Sequence, residues 1–347
     1  MTAPGNAMVW DRAKRGHYEV WYLTASHLAS GAGFWVRLTL EAPYESAGEP
    51  YCEAWFACFD PKATTPAWGF HQRFPIGLLD ATRSPHRVRI GDHAEVTDKS
   101  FTAKLSAGGH EVSWDLSWLP APEVHLHYPP ALYNVSRIDT KVCSPNLNVP
   151  LRGTIRARGP ATGGVQREWS FEGDPADQTH VWGRKHAHAW VWSHCNAFAG
   201  NRSAAWEGIS ARLKRGGIVL PTLTVVSLDL DGEKHHFTGL GDTLLSRGTW
   251  KDGHYRARAS GRSVKLEAEF TSRPEHMIAT PYVDPDGEPS YCMNSCIADC
   301  TVTVWRRSPF VGRWREAARL VSRGGGHWEY GQRAPDPAVK ARHEAYP

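Results

Sequence analysis

The densest run of side chains capable of chemistry lies at residues 180–198, which read His-Val-Trp-Gly-Arg-Lys-His-Ala-His-Ala-Trp-Val-Trp-Ser-His-Cys-Asn-Ala-Phe. Side chains alternate along an extended strand. His186, His188, Trp190, Trp192, His194, Asn196 and Phe198 would therefore share one face, with Ala187, Ala189, Val191 and Cys195 on the other. A solvent face would carry Lys, Glu and Thr. A row of indoles, imidazoles and an amide suits the wall of a cavity, where a few polar groups orient a mostly apolar guest. It also suits a wide core whose rings hydrogen-bond to one another. His186 and His188 could share a metal ion, but at ~3.3 Å per residue His194 lies ~20 Å from His188 and cannot join them on a regular strand. A third ligand would have to come from His180, Asp174 or Asp177, and a site without metal is the expectation.

The elements that must position this row read as strands. Period-two alternation dominates, as in Phe34, Val36, Leu38 and Leu40 against Trp35, Arg37 and Thr39, a half-buried pattern. Similar runs recur along the chain between Gly, Pro, Asn and Asp turns, as a meander requires. Helical spacing is confined to Arg313–Ser322 and a surface tail at Pro337–Ala345. The Gly and Pro loop at 159–164 suggests a boundary near residue 160, dividing the chain into an N-terminal β domain (1–160) and a C-terminal β domain (161–347) with a short helical tail. The fold class is all-β, with two antiparallel barrels or sandwiches packed together.

Composition narrows the partners. The chain has 347 residues, with 16 Trp and 18 His beside only 4 Met. Large flat rings at this density fill wide β cores or line aromatic cavities. The net charge of +4 is spread without a basic block, so nucleic acid is not expected as a partner. No stretch reaches the ~18 apolar residues of a membrane span, although peripheral contact with a membrane stays open. Met1–Arg15 lacks an apolar stretch after a basic one, so the expected location is cytoplasmic. Seven cysteines, an odd number, read as reduced thiols. Cys292, Cys296 and Cys300 recur every four residues, which is not the spacing of a zinc knuckle, and read as structural.

Trp182-Gly183, then Trp190-x-Trp192 and Asn196-x-Phe198, resembles the signature of the tocopherol cyclase-like proteins. Their lipocalin-like superfamily also includes carotenoid 1,2-hydratases and lipocalin-fold Diels-Alderases. Shorter matches extend the resemblance over roughly residues 17 to 331: Glu19, Trp21 and Tyr22; Glu53-Ala54-Trp55; Trp114-Asp115-Leu116; and Glu329-Tyr330-Gly331. It implies two lipocalin-like domains and an elongated apolar pocket for a prenylated or polyene molecule, worked on without a cofactor. By the same resemblance His180, Trp182 and Gly183 match the hydratases' His-x-Trp-Gly element, which puts His180 and Trp182 at the pocket. Where the hydratases carry a Tyr-x-Asp pair, this chain has Glu207 and Ile209. Where the cyclases have Asn and Pro, it has Val181 and Ala187. Glu207 would replace the missing acid if desolvation raised its pKa, and otherwise is an exposed strand carboxylate. Asp174 and Asp177 read as turn caps, or as partners that orient His180.

Three functions follow. The first is an enzyme that hydrates or cyclises a prenylated or polyene substrate by acid catalysis, with His180 or Glu207 as proton donor and Trp182, Trp190 and Trp192 facing a cation; His186, His188, His194 and Asn196 complete the pocket. The second is a carrier of hydrophobic small molecules or lipids. The third is a pericyclase, which needs cavity shape but no acid. The sequence leaves the substrate and the oligomeric state open.

Overall fold

A computed structural model describes residues 5–308, 312–340 and 343–347, and it is almost entirely β. Two large sheets account for nearly all of it, of 13 and 10 strands among the described residues, antiparallel except for one strand at the border of the first. In the first, the strands Ala67–Pro75, Tyr51–Phe59, Ala32–Ala42, His17–His27, Arg167–Gly183 and Thr140–Arg158 lie side by side in that order. A meander of shorter strands from His110–Ser117 to Leu79–Arg83 continues it. The sheet curls so that its two halves share one core, in which Phe56 stacks on Trp114 at 6.1 Å and Phe34 meets Trp169 at 4.9 Å. In the second sheet Leu223–Leu230, Ala205–Arg212, Ala189–Cys195, Arg315–Gln332 and Pro289–Arg306 run side by side over a separate core containing Val191, Cys195, Trp206 and Trp328.

The two sheets pack against each other, which changes how several strands are buried. Ala32–Ala42 is buried on both faces rather than half-buried. Phe34, Val36, Leu38 and Leu40 enter the first core, while Trp35 joins Trp55, Ile278, Cys296 and Ile297 in a cluster between the sheets. At the closest approach a Cβ on Gly33 would stand 2.1 Å from the carbonyl oxygen of Cys296, so only glycine fits there. All seven cysteines are free and buried, with Cys296 in the inter-sheet cluster and Cys300 in the second core.

Three expectations are corrected. The loop at 159–164 is a hairpin turn inside the first sheet, because Thr140–Arg158 and Arg167–Gly183 pair with each other; the chain crosses between sheets after Gly183 and before Ala189. The segment Arg313–Ser322 is not helical: Arg315–Gln332 is a strand, with Thr301 opposite Val321 and Thr303 opposite Arg319. Leu320 and Ser322 turn inward and Arg319 and Arg323 outward, so pairing with Pro289–Arg306 decides between two periods that small residues leave close. The tail at Pro337–Ala345 lies partly outside the described residues, and His343–Tyr346 is a strand running parallel to Ala67–Pro75. Thr140–Arg158 runs through Pro145 and Pro150 by absorbing irregular register at Asn146 and Val149.

Candidate functional site

Between the sheets lies a cavity of about 690 Å³. Alternation decides which residues reach it. On His17–His27, Tyr18, Val20 and Tyr22 face the second sheet and line the cavity, while Glu19, Trp21 and Leu23 point the other way. On Arg167–Gly183, Val181 lines it and His180 and Trp182 do not. The second sheet contributes Trp190, Trp192, Ile209, Val225 and Glu329, and Tyr128 and Leu132 cover it from the segment that precedes Thr140.

Trp190 and Trp192 therefore stand in the wall as the alternation requires. Trp190 lies across Gly331, where a Cβ would come within 2.1 Å of the indole, and its Nε1 donates to Glu329 Oε1 at 2.9 Å. His186 and His188 also line the cavity, but from the crossing segment, because the strand ends at Gly183 and a new one starts at Ala189. His186 is the best positioned of the predicted residues. Its Nδ1 donates to Asp284 Oδ1 at 2.6 Å, and its backbone N–H donates to the same oxygen at 2.9 Å. Arg333 holds the other carboxylate oxygen at 2.6 Å and donates to the carbonyls of His186 and Ala187. The imidazole packs between Tyr18 at 4.5 Å, Trp190 at 5.2 Å and Tyr282 at 5.5 Å. Burial opposes ionisation of Asp284, but the hydrogen bonds and charge of His186, with Arg333, outweigh it and hold the carboxyl at about 2. A fixed carboxylate on Nδ1 sets the ring's tautomer and leaves Nε2, which makes no hydrogen bond to the described residues, for a guest.

Glu207, His194 and Asn196 lie deeper, outside the lining. Glu207 is buried rather than exposed, and it accepts from Trp192 Nε1 at 2.5 Å, His127 Nε2 at 2.8 Å and His194 Nδ1 at 3.0 Å. Burial raises its pKa, yet the two histidines more than reverse this and hold it at about 2. It is thus an ionised acceptor shut behind Trp192, not the protonated donor that desolvation alone would make. His194 is disfavoured as a cation by burial, but Asp177 and Glu207 lift it to about 9. Asp177 is no turn cap: it is buried within the strand Arg167–Gly183, accepts from Thr179 Oγ1 at 3.0 Å, and is pushed up to about 7 by burial, whereas Asp174 caps the backbone of Leu28 and Glu172. Asn196 donates to Ala176 O at 3.0 Å, joining the sheets.

His180 occupies the opposite face of its strand, fully buried. Nε2 faces Glu19 Oε1 at 2.9 Å and Nδ1 faces Gly5 O at 2.7 Å, and the ring stacks between Trp21 and Trp182. Glu19 also takes the backbone N–H groups of Val9 and Trp10. Both nitrogens of His180 are thus engaged away from the cavity, and the network ties the N-terminal segment into the first core. Trp182 packs with Tyr133 and Cys143 in a small satellite cluster, and Gly183 lets the carbonyl of Asp139 approach to 2.0 Å of where a Cβ would be. Asp284 and Arg333 escaped the sequence reading, and Arg37 and Glu329 were read only as a strand residue and a family match, not as members of the site. Arg37 carried a signal, as a cation on the same strand face as Trp35; Asp284 carried none, being 98 residues from His186.

Residues 139–324 match the family model described as tocopherol cyclase-like. No curated protein matches the chain. Among solved structures it is similar to a Nitrosomonas europaea protein described as AttH, with 13% identity and a TM-score of 0.56 over 95% of this chain and 98% of that one. It is also similar to CghA crystallised with Sch210972, at 11% identity and a TM-score of 0.55 over 91% and 87%. The kievitone hydratase of Nectria haematococca gives 8% identity and a TM-score of 0.54 over 94% and 97%. At these identities the likeness is one of fold, and it extends over the whole two-sheet arrangement.

Proposed function

The chain belongs to the tocopherol cyclase-like family, and from that membership we propose that it is an enzyme that hydrates or cyclises an unsaturated hydrophobic small molecule by acid–base chemistry at His186. The observation that carries this reading is the Asp284–His186 pair at the wall of the aromatic cavity, with Nε2 left for the guest. Asp284 stabilises the imidazolium and orients it. Nε2 delivers its proton to the substrate, a water or an internal oxygen closes on the cationic carbon, and the proton released from that oxygen returns to Nε2. An imidazolium is a weak acid beside a protonated isolated alkene, so the double bond must be activated by conjugation to a carbonyl or an oxygen. Trp190, Tyr18 and Tyr282 pack their rings against the imidazole of His186 and shield it from water.

The test is turnover of a panel of prenylated phenols, polyenes and conjugated enones by wild type, His186→Gln and Asp284→Asn. A loss of ~10²–10⁴-fold in kcat is expected for His186→Gln, with ligand affinity retained. Unchanged turnover would remove His186 from the chemistry. The carrier reading stands second, favoured by the withdrawal of both His180 and Glu207 from the cavity. It predicts an unaltered ligand co-purifying with the protein and no conversion of any panel member.

A further inference from the structure

The cavity wall holds a second polar feature that the acid–base reading does not use. Arg37 is only 7% exposed and lies among the lining residues. Its guanidinium sits over Trp55 at 3.9 Å and over Trp35 and Tyr282 at 4.7 Å each. Nη1 donates to the Tyr282 hydroxyl at 3.0 Å, and Nε has no partner. No carboxylate among the described residues forms an ion pair with it. The acid on the neighbouring strand, Glu53, is taken by Arg73 at 2.9 Å and faces His71. Glu329, across the cavity wall, is engaged by Trp190 and Asn294. Glu41 and Glu53 feel the charge of Arg37 only at longer range.

A buried cation without a counter-ion is costly, and rings around it recover only part of what hydration supplied. The cage also fixes the guanidinium plane, which is how a planar fork is prepared for a two-oxygen anion. Tyr282 links this point to the reacting one, since its ring also packs against His186 at 5.5 Å. A ligand whose head reached Arg37 would lay its apolar body along Trp190, Trp192, Ile209 and Val225.

We propose that Arg37 is the head-group subsite of this cavity and that the natural guest is an unsaturated lipophilic carboxylate, its acid end held beside His186 by the guanidinium that Trp35, Trp55 and Tyr282 cage. This rests on the reading that the cavity holds a hydrophobic guest, and it adds the charge of that guest. Catalysis then takes place near the acid end rather than at the far end of the chain.

The experiment compares cis-parinaric acid with its methyl ester, read by polyene fluorescence at pH 8, in wild type, Arg37→Met, Arg37→Lys and the double variant Lys214→Gln/Arg215→Gln, which removes two exposed cations at the mouth. Wild type is expected to bind the acid roughly tenfold or more tightly than the ester. Arg37→Met should erase that preference while holding the ester within about twofold, and Arg37→Lys should restore part of it. The mouth variant should keep the preference. Equal affinity for acid and ester in wild type, or a preference abolished by the mouth variant instead of Arg37→Met, overturns the proposal while leaving the cavity reading intact. Binding of neither probe overturns both. Thermal unfolding of each variant separates loss of binding from loss of fold, and an Arg37→Met protein that folds and still prefers the acid also refutes the assignment.

Discussion

At the scale of single residues, three of the histidine–carboxylate pairs share one chemistry and differ in what surrounds them. His180–Glu19 is locked inside the first core, His194–Glu207 is sealed between the sheets, and His186–Asp284 opens on the cavity. Pattern alone grouped His186, His188 and His194 because their parity matches; it could not say that the strand breaks between Gly183 and Ala189, or which side of it meets the void. The sealed pair has a pH signature. His194 is lifted from its ordinary 6.5 to about 9, so its contribution is complete below 6.5 and fades as pH rises through 9. Glu207 is lowered from 4.5 to about 2, so its contribution is present above 4.5 and fades as pH falls towards 2. The stability gap between wild type and Glu207→Gln should therefore be widest between pH 4.5 and 6.5 and narrow on either side. Breaking such a buried pair costs ~3–5 kcal/mol, measurable by urea unfolding across pH. A gap that does not vary with pH would mean that His194 and Glu207 are not ionised together.

At the scale of elements, the strands were the most legible part of the chain. Val264–Thr271 carries clean alternation and folds as it reads, with Leu266, Ala268 and Phe270 buried. What stayed hidden was non-local. Ala32–Ala42 reads as half-buried, yet a second sheet covers its polar-looking side; Trp35 and Arg37 look like surface residues until that sheet is present. Arg313–Ser322 misreads as a helix because Ala317, Ala318, Leu320 and Val321 satisfy both periods, and only the partner strand chooses. The glycines show how tightly these elements meet. Gly33→Ala should drive a methyl group into the Cys296 carbonyl and loosen the sheet contact, at a cost of ~1–3 kcal/mol in urea unfolding. Gly331→Ala should instead displace the Trp190 ring, weakening ligand binding more than folding. A Gly33→Ala protein as stable as wild type would show that the sheets do not approach as closely as described.

At the scale of the whole molecule, the cavity belongs to neither sheet. The first supplies Arg37 and Tyr22, the second Trp190 and Trp192, and the crossing segment His186, so the two units have to assemble before any site exists. The residues nearest the C-terminus have a different task. His343–Tyr346 lies parallel to Ala67–Pro75 as the outermost strand of the first sheet, with His343 against Trp55 at 4.8 Å, next to the ring that cages Arg37. Deleting residues 343–347 would strip that row of amides and carbonyls of its partner and present a ready template to neighbouring copies. A shortened protein should therefore self-associate with rising concentration, visible by light scattering, while its remaining core unfolds cooperatively. If so, His343–Tyr346 is a selvedge that covers the woven border along Ala67–Pro75.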